Sequence, residues 1–282
     1  MTSILTPTDV PIQSVVCFCH GYTDFPTLTR SRELSRMAKK GIAVIMIEYE
    51  GHGRSDGALG LITDWDKMVD DCFEFFEQTV SKRFPTIPTF LMGESMGGAV
   101  AYCLYKRDPR LFRGVVLVCP MCKIGDDCLP PQWVIDFFRK LAGPKGTTSN
   151  MGYLPIAPSE GLNIDFSIRP HKQAMLSAFP LEYGRKPRLA TAREMLDVTI
   201  HISKDLKNFH APMLIQHGSQ DRMTDPQLSR NLYEESTSTD KTLKIYDGML
   251  HSLLSGEFDE NIDLVLGDSI EWILERSHNK TQ

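Results

Sequence analysis

Short, almost unbroken apolar runs recur along this chain and limit its fold more than any other feature. They are SVVCFC at 14–19, IAVIMI at 42–47, TFLM at 89–92, GVVLVC at 114–119, PMLIQ at 212–216 and TLKI at 242–245. A run of that length with no polar face reads as a strand buried on both sides. Helix-like segments lie between the runs. The stretch 27–41 is closed by Gly41, which suits a helix C-terminus. In 64–84, Trp65, Met68, Val69, Cys72, Phe73, Phe76 and Val80 share one helical face. Strands alternating with helices build a mostly parallel sheet with helices on both faces, and reactive groups in such folds gather at the carboxyl ends of the strands. The expected class is therefore α/β.

The alternation stops at Met121 and resumes near residue 209. The interruption is rich in Pro, Gly and Lys, holds one clear helical stretch, PPQWVIDFFRKLA at 130–142, and is too long for a loop. It reads as a helical cap over 121–208, with two more helices before Asn208, inserted between core segments 1–120 and 209–282. A chain of 282 residues, 41% hydrophobic and 24% charged, suits one large core carrying such an insertion.

Acidic residues outnumber basic ones by only 36 to 31, and no Lys/Arg block occurs, so nucleic acid is not an expected partner. No apolar run is long enough to span a bilayer. Residues 1–14 lack the charged and apolar regions of a signal peptide. The seven cysteines follow no framework spacing, and Cys119–Cys122 has no second Cys/His pair to complete a metal site. Reduced thiols in a cytoplasmic setting are expected.

One motif carries chemistry. In GESMG, Ser95 sits between glycines after the TFLM strand and before a helix, the G-x-S-x-G pattern of a nucleophile elbow. A serine hydroxyl needs a base, and the base needs an orienting carboxylate. After Ser95 the chain supplies them in order: Asp221 in QHGSQDRMTDP and His251 in YDGMLHSLL, each just past its own strand. The competing residues have plainer readings. Asp225 precedes Pro226 and suits a helix cap, and Asp247 suits a turn. His171, His201 and His210 read as packing or surface residues, while His20 and His217 precede glycines and read as loop-ordering groups. An oxyanion hole would take the backbone N–H of Met96, at a helix N-terminus, and that of Tyr22, from the loop CHGYTDFP. Gly97 and Gly98 would let helix and strand approach around the elbow. Arg54, Glu94, Asp126 and Asp127 read as loop anchors.

With these pieces in place, the chain resembles the monoacylglycerol lipase and lysophospholipase family of α/β-hydrolases, within it the branch that includes caffeoylshikimate esterase. The stretches that carry the resemblance are HGYTD, YEGHGRSDG, GESMGGAV, PMCKIGDDCLPP, KPRLATAREML, HGSQDRMTDP, LYEES and HSLLSGE, spread from about residue 15 to 274. The resemblance implies the triad Ser95–Asp221–His251, the donors Tyr22 and Met96, no metal or organic cofactor, and a cap that shapes an acyl-binding tunnel. Family members usually carry a longer segment before the HG motif, forming a hairpin on the sheet edge. Here that hairpin is expected to be missing, either from the protein or because the sequence is cut short, which would expose an apolar edge.

The expected activity is hydrolysis of esters of single acyl chains, monoacylglycerols first, with lysophospholipids or phenolic esters of the caffeoylshikimate type as the alternative. On the cap, Trp133, Val134, Phe137, Phe138 and Leu141 recur at helical spacing. Packing against the body accounts for most of them; Trp133, Phe137 and Phe138 are the candidates for contacting a lipid substrate or resting on a membrane surface. A non-catalytic binding protein on this fold would usually lack a member of the triad.

Overall fold

The structure, a computed structural model, describes residues 1–26, 30–123, 131–147, 151–157, 179–181 and 183–278. Asp126, Asp127 and His171 lie outside the described residues. The strands are β1 (Thr2–Leu5), β2 (Ser14–Cys19), β3 (Ile42–Ile47), β4 (Thr89–Glu94), β5 (Val115–Val118), β6 (Met213–Gly218) and β7 (Lys241–Tyr246). They form one sheet in the order β1-β3-β2-β4-β5-β6-β7. Every pairing is parallel except that of β1, which runs antiparallel to β3 at one edge, with Leu5 opposite Val44.

The helices are α1 (Ser31–Ala38), α2 (Trp65–Arg83), α3 (Met96–Arg107), α4 (Gln132–Ala142), α5 (Leu189–Asp205), α6 (Pro226–Glu235) and α7 (Asp259–His278). Strand alternation divides the core. Val15, Cys17 and Cys19 face α2, α3 and α5, whereas Val16 and Phe18 face α1 and α7. The α2 stripe is buried at Trp65, Met68, Val69, Cys72, Phe76 and Val80, with Phe73 only half-buried. Asp64 caps that helix by accepting from Lys67 N at 3.1 Å, and Lys82 and Arg83 complement the dipole at its far end. Among the described residues, no helix is long and apolar enough to cross a membrane.

The ladder register decides where the site lies. Cys19 pairs with Gly93, Glu94 with Val118, Val118 with Gln216, and Gly218 with Tyr246. The carboxyl ends of five strands are thus level, and the loops beginning at His20, Ser95, Cys119, Ser219 and Asp247 open on one rim.

Helix α5, which lies between β5 and β6 in the chain, is tied to the loop after β3 and to α2 through satisfied polar groups. Buried Thr191 Oγ1 donates to Gly60 O and accepts from Ile62 N, both at 2.8 Å, and Glu194 accepts from Trp65 N at 2.7 Å. Helix α4 sorts the apolar residues of the sequence reading by side. Its buried residues are Ile135 and Ala142, two turns apart, which define the inward line. Trp133 and Phe137 point the opposite way and are 73% and 54% exposed, while Val134, Phe138 and Leu141 flank the line and are half-buried. Packing on the body therefore does not account for Trp133 or Phe137.

Candidate active site

Ser95 links β4 directly to α3 at φ 55°, ψ −119°, a left-handed backbone that costs a non-glycine residue about 1–3 kcal/mol. Close packing holds it there. A Cβ at Gly93 would lie 2.1 Å from Gly97 O, and one at Gly97 would lie 2.0 Å from Cys19 O. At Gly98 it would meet the Pro120 ring at 2.6 Å. Ser95 N donates to Val118 O at 2.9 Å, and Ser95 O accepts from Met121 N at 3.0 Å, tying the turn to the end of β5.

Asp221 is buried in the turn after β6. Its Oδ1 accepts from Met223 N at 2.7 Å and Thr224 N at 3.1 Å. Its Oδ2 lies 2.7 Å from His251 Nδ1, 2.8 Å from Thr224 Oγ1 and 3.0 Å from His217 Nε2. Burial opposes the carboxylate's charge, but the hydrogen bonds from His217 and His251, with their electrostatic contribution, outweigh it. Asp221 is held well below the usual carboxylate range. Because an ionised carboxylate only accepts, His251 carries its proton on Nδ1, leaving Nε2 as the basic nitrogen. Nε2 makes no hydrogen bond to a described residue, and none joins it to Ser95 Oγ in this structure. The His251 loop is fixed by Leu250 N donating to Glu257 at 2.8 Å.

The loop after β2 passes next to the elbow: a Cβ on Gly21 would sit 3.6 Å from Ser95 Cβ. The backbone N–H groups of Tyr22 and Met96 have no acceptor among the described residues. The Tyr22 hydroxyl donates to Gly60 O at 2.8 Å, at the seam with α5. Beneath this loop, buried Arg30 bridges Asp24 at 3.1 Å and Glu94 at 2.9 Å, and Glu94 accepts from Leu254 N at 3.4 Å. Glu94 thus anchors three loops of the rim together, and Arg54 packs on Glu48, its N–H donating to that carboxylate at 2.8 Å.

The competing residues have structural partners. Asp225 caps α6 through Gln227 N at 2.8 Å, and Asp247 accepts from Ser219 Oγ at 3.1 Å. His201 and His210 are exposed. His20 is buried, with Nε2 accepting from Tyr49 N at 3.1 Å and Nδ1 donating to Gly21 O at 2.8 Å.

Sequence reasoning missed Thr224 and Cys119 beside the Asp–His pair, and Arg30 beneath the rim. Thr224 touches Asp221, His251 and the carbonyl of Cys119. Its position in a tight turn three residues after Asp221 was the available signal. Cys119, read only as half of a CxxC, stands at φ 44° with its sulfur, an Asp221 oxygen and a His251 nitrogen all within 4.8 Å of one another. Arg30 gave no signal, because its partners are distant in sequence.

A level rim of parallel strands, with a serine on a strained glycine-flanked turn and a buried Asp–His pair beyond two later strands, defines the α/β-hydrolase class of serine hydrolases. The chain belongs to the Hydrolase_4 family, described as serine aminopeptidase, S33, whose model matches residues 11–259. It is 33% identical over 278 residues to caffeoylshikimate esterase of Arabidopsis thaliana, covering 98% of this chain and 82% of that protein. It is 28% identical over 272 residues to the monoacylglycerol lipase of Mycolicibacterium smegmatis, covering 96% and 91%. The crystal structure of Paleococcus ferrophilus monoacylglycerol lipase shares the fold, with a TM-score of 0.77 over 98% of each chain at 20% identity. The protein is an ester hydrolase of this class.

Proposed function

We propose that the protein hydrolyses esters of single acyl chains, monoacylglycerols foremost, through an acyl-enzyme on Ser95. His251 Nε2 takes the Ser95 proton as Oγ attacks the acyl carbonyl, and Asp221 stabilises the imidazolium. The tetrahedral oxyanion is held by the Tyr22 and Met96 amides, whose free N–H groups are ready for it. His251 then protonates the leaving alcohol, and water repeats the cycle to release the fatty acid.

The observation that carries the lipid assignment is the exposure of Trp133 and Phe137 on one side of α4, a helix within the sequence interval between β5 and β6. Large apolar side chains displayed in this way favour a greasy substrate, or transient contact with the membrane that holds it. A second reading, hydrolysis of a phenolic ester, is favoured by the 33% identity to caffeoylshikimate esterase.

The test compares turnover of monoolein, lysophosphatidylcholine and caffeoylshikimate, with fluorophosphonate labelling as the count of active sites. Monoolein is expected to be the best substrate, and Ser95→Ala is expected to abolish labelling and lower turnover by on the order of ~10⁶. Clear hydrolysis of caffeoylshikimate with none of monoolein would replace the first reading by the second. A well-folded protein that the probe does not label would end both.

A further inference from the structure

The catalytic carboxylate is shared by two histidines, and the second has no part in the mechanism above. His217, the penultimate residue of β6, is fully buried, with Nε2 3.0 Å from Asp221 Oδ2 and 2.8 Å from Thr224 O. A carbonyl oxygen can only accept, so Nε2 carries the proton and shares it between that carbonyl and the carboxylate. Its other nitrogen, Nδ1, lies 2.7 Å from Ser229 Oγ on α6, and in the neutral ring it accepts that hydroxyl's proton. A chain of hydrogen bonds therefore runs from Ser229 through His217 to Asp221 and on to His251.

We infer that His217 is a positioning residue for Asp221, setting both its orientation and the basicity it passes to His251; this rests on Asp221 being the triad acid. Three donors converge on Oδ2: His251 Nδ1–H, Thr224 Oγ1–H and His217 Nε2–H. The positive end of the His217 N–H dipole faces a carboxylate whose negative charge must hold the His251 imidazolium. It therefore withdraws charge from Asp221 and keeps His251 less basic than Asp221 alone would make it. The other ionisable groups on this side are Cys119, a buried thiol at the end of β5 that hydrogen-bonds to Asp221, and Glu94 at the end of β4, whose charge is met by Arg30. Neither supplies a cation to the carboxylate. Orientation follows from the same geometry, because Nε2 holds Thr224 O and Asp221 Oδ2 together and so closes the turn that presents the acid.

The pH dependence of kcat/KM on a soluble short-chain ester reads this directly. His217→Leu removes the donor and is expected to move the acid limb to higher pH by about half a unit to one unit, with kcat per labelled site falling about tenfold. His217→Gln, whose amide can replace the Nε2 donor, is expected to restore the wild-type limb. Ser229→Ala leaves the histidine in place but weakens its polarisation, and is expected to move the limb the same way by less; it serves if the leucine variant does not fold. A purely structural role would lower the number of labelled sites and leave the limb unmoved. An unmoved limb in a folded His217→Leu or Ser229→Ala protein overturns the inference while Asp221→Asn is still inactive. An active Asp221→Asn variant would instead remove the reading beneath it.

Discussion

Replacing Gly97 by alanine tests whether packing under the elbow sets the rate. The new Cβ would stand 2.0 Å from Cys19 O, about 1.4 Å short of an ordinary 3.4 Å contact, and 2.7 Å from His20 O. Both obstacles are backbone atoms. β2 is hydrogen-bonded to β3 on one side and β4 on the other, so it cannot give way without breaking the sheet. The first turn of α3 must withdraw instead, by roughly 1 Å, the scale at which misplaced groups cost about 10²-fold in rate. That turn carries Ser95 and the Met96 amide, whereas the Tyr22 amide sits on a loop held by Arg30 and the Tyr22 hydroxyl. In the proposed mechanism the oxyanion geometry is lost between them, and one lost donor is worth about 10²–10³ in kcat. Overpacking at a core site costs about 1–3 kcal/mol, or some 2–12 °C in Tm for a chain of this size. The expected result is a folded protein with Tm lowered by some 2–12 °C and kcat per labelled site reduced at least about 100-fold. Wild-type kcat and Tm in Gly97→Ala would refute the reasoning, since the Cβ would then have found room that the backbone denies it.

Other predictions concern stability and helix α4. Burial holds His20 down at about 3, helped by neighbouring His52, and holds His52 down at about 4. Below the unfolded value near 6.5 the unfolded chain binds protons that the native state refuses, so stability falls as pH drops from about 6.5 to 4, by up to roughly 1.4 kcal/mol per pH unit for each histidine. In denaturant titrations across that window, His52→Asn, which retains a donor for Glu50 O, is expected to lose one histidine's share of the slope; an unchanged slope would count against it. Gly267 lies within α7 at negative φ, with open space where a Cβ would go. Gly267→Ala is expected to gain about 0.5–1 kcal/mol in thermal unfolding, and a loss would show that the helix needs the glycine. Trp133→Ser and Phe137→Ser are expected to cut turnover of vesicle-borne monoolein by on the order of tenfold each while leaving a soluble short-chain ester untouched. Equal losses on both substrates would place these side chains in the fold rather than at the lipid.

What the sequence disclosed, and what it withheld, divides along a physical line. β2 to β6 were legible because strands buried on both faces need continuous apolar runs. The elbow was legible because Ser95 at φ 55° needs glycines at 93, 97 and 98 on every side that touches backbone. Asp221 and His251 followed from chain order and topology: parallel strands bring the residues just past their carboxyl ends to one rim, whatever their separation in sequence. The groups packed around this site were hidden, because their contacts depend on side-chain direction across elements. Nothing in the one-dimensional pattern says that His217 and His251 meet the same carboxylate oxygen, that Cys119 turns its sulfur toward them, or that Arg30 bridges Asp24 and Glu94. Helix α4 shows the same limit. Five apolar residues at helical spacing span an arc of about 140° on the helix, and only the positions of Ile135 and Ala142 in the folded molecule show that the buried line runs beside that arc. Periodicity locates an apolar face, but the partner selects the side that is covered. On helix α4 the uncovered remainder is Trp133 and Phe137, the side chains on which the proposed lipid reading rests.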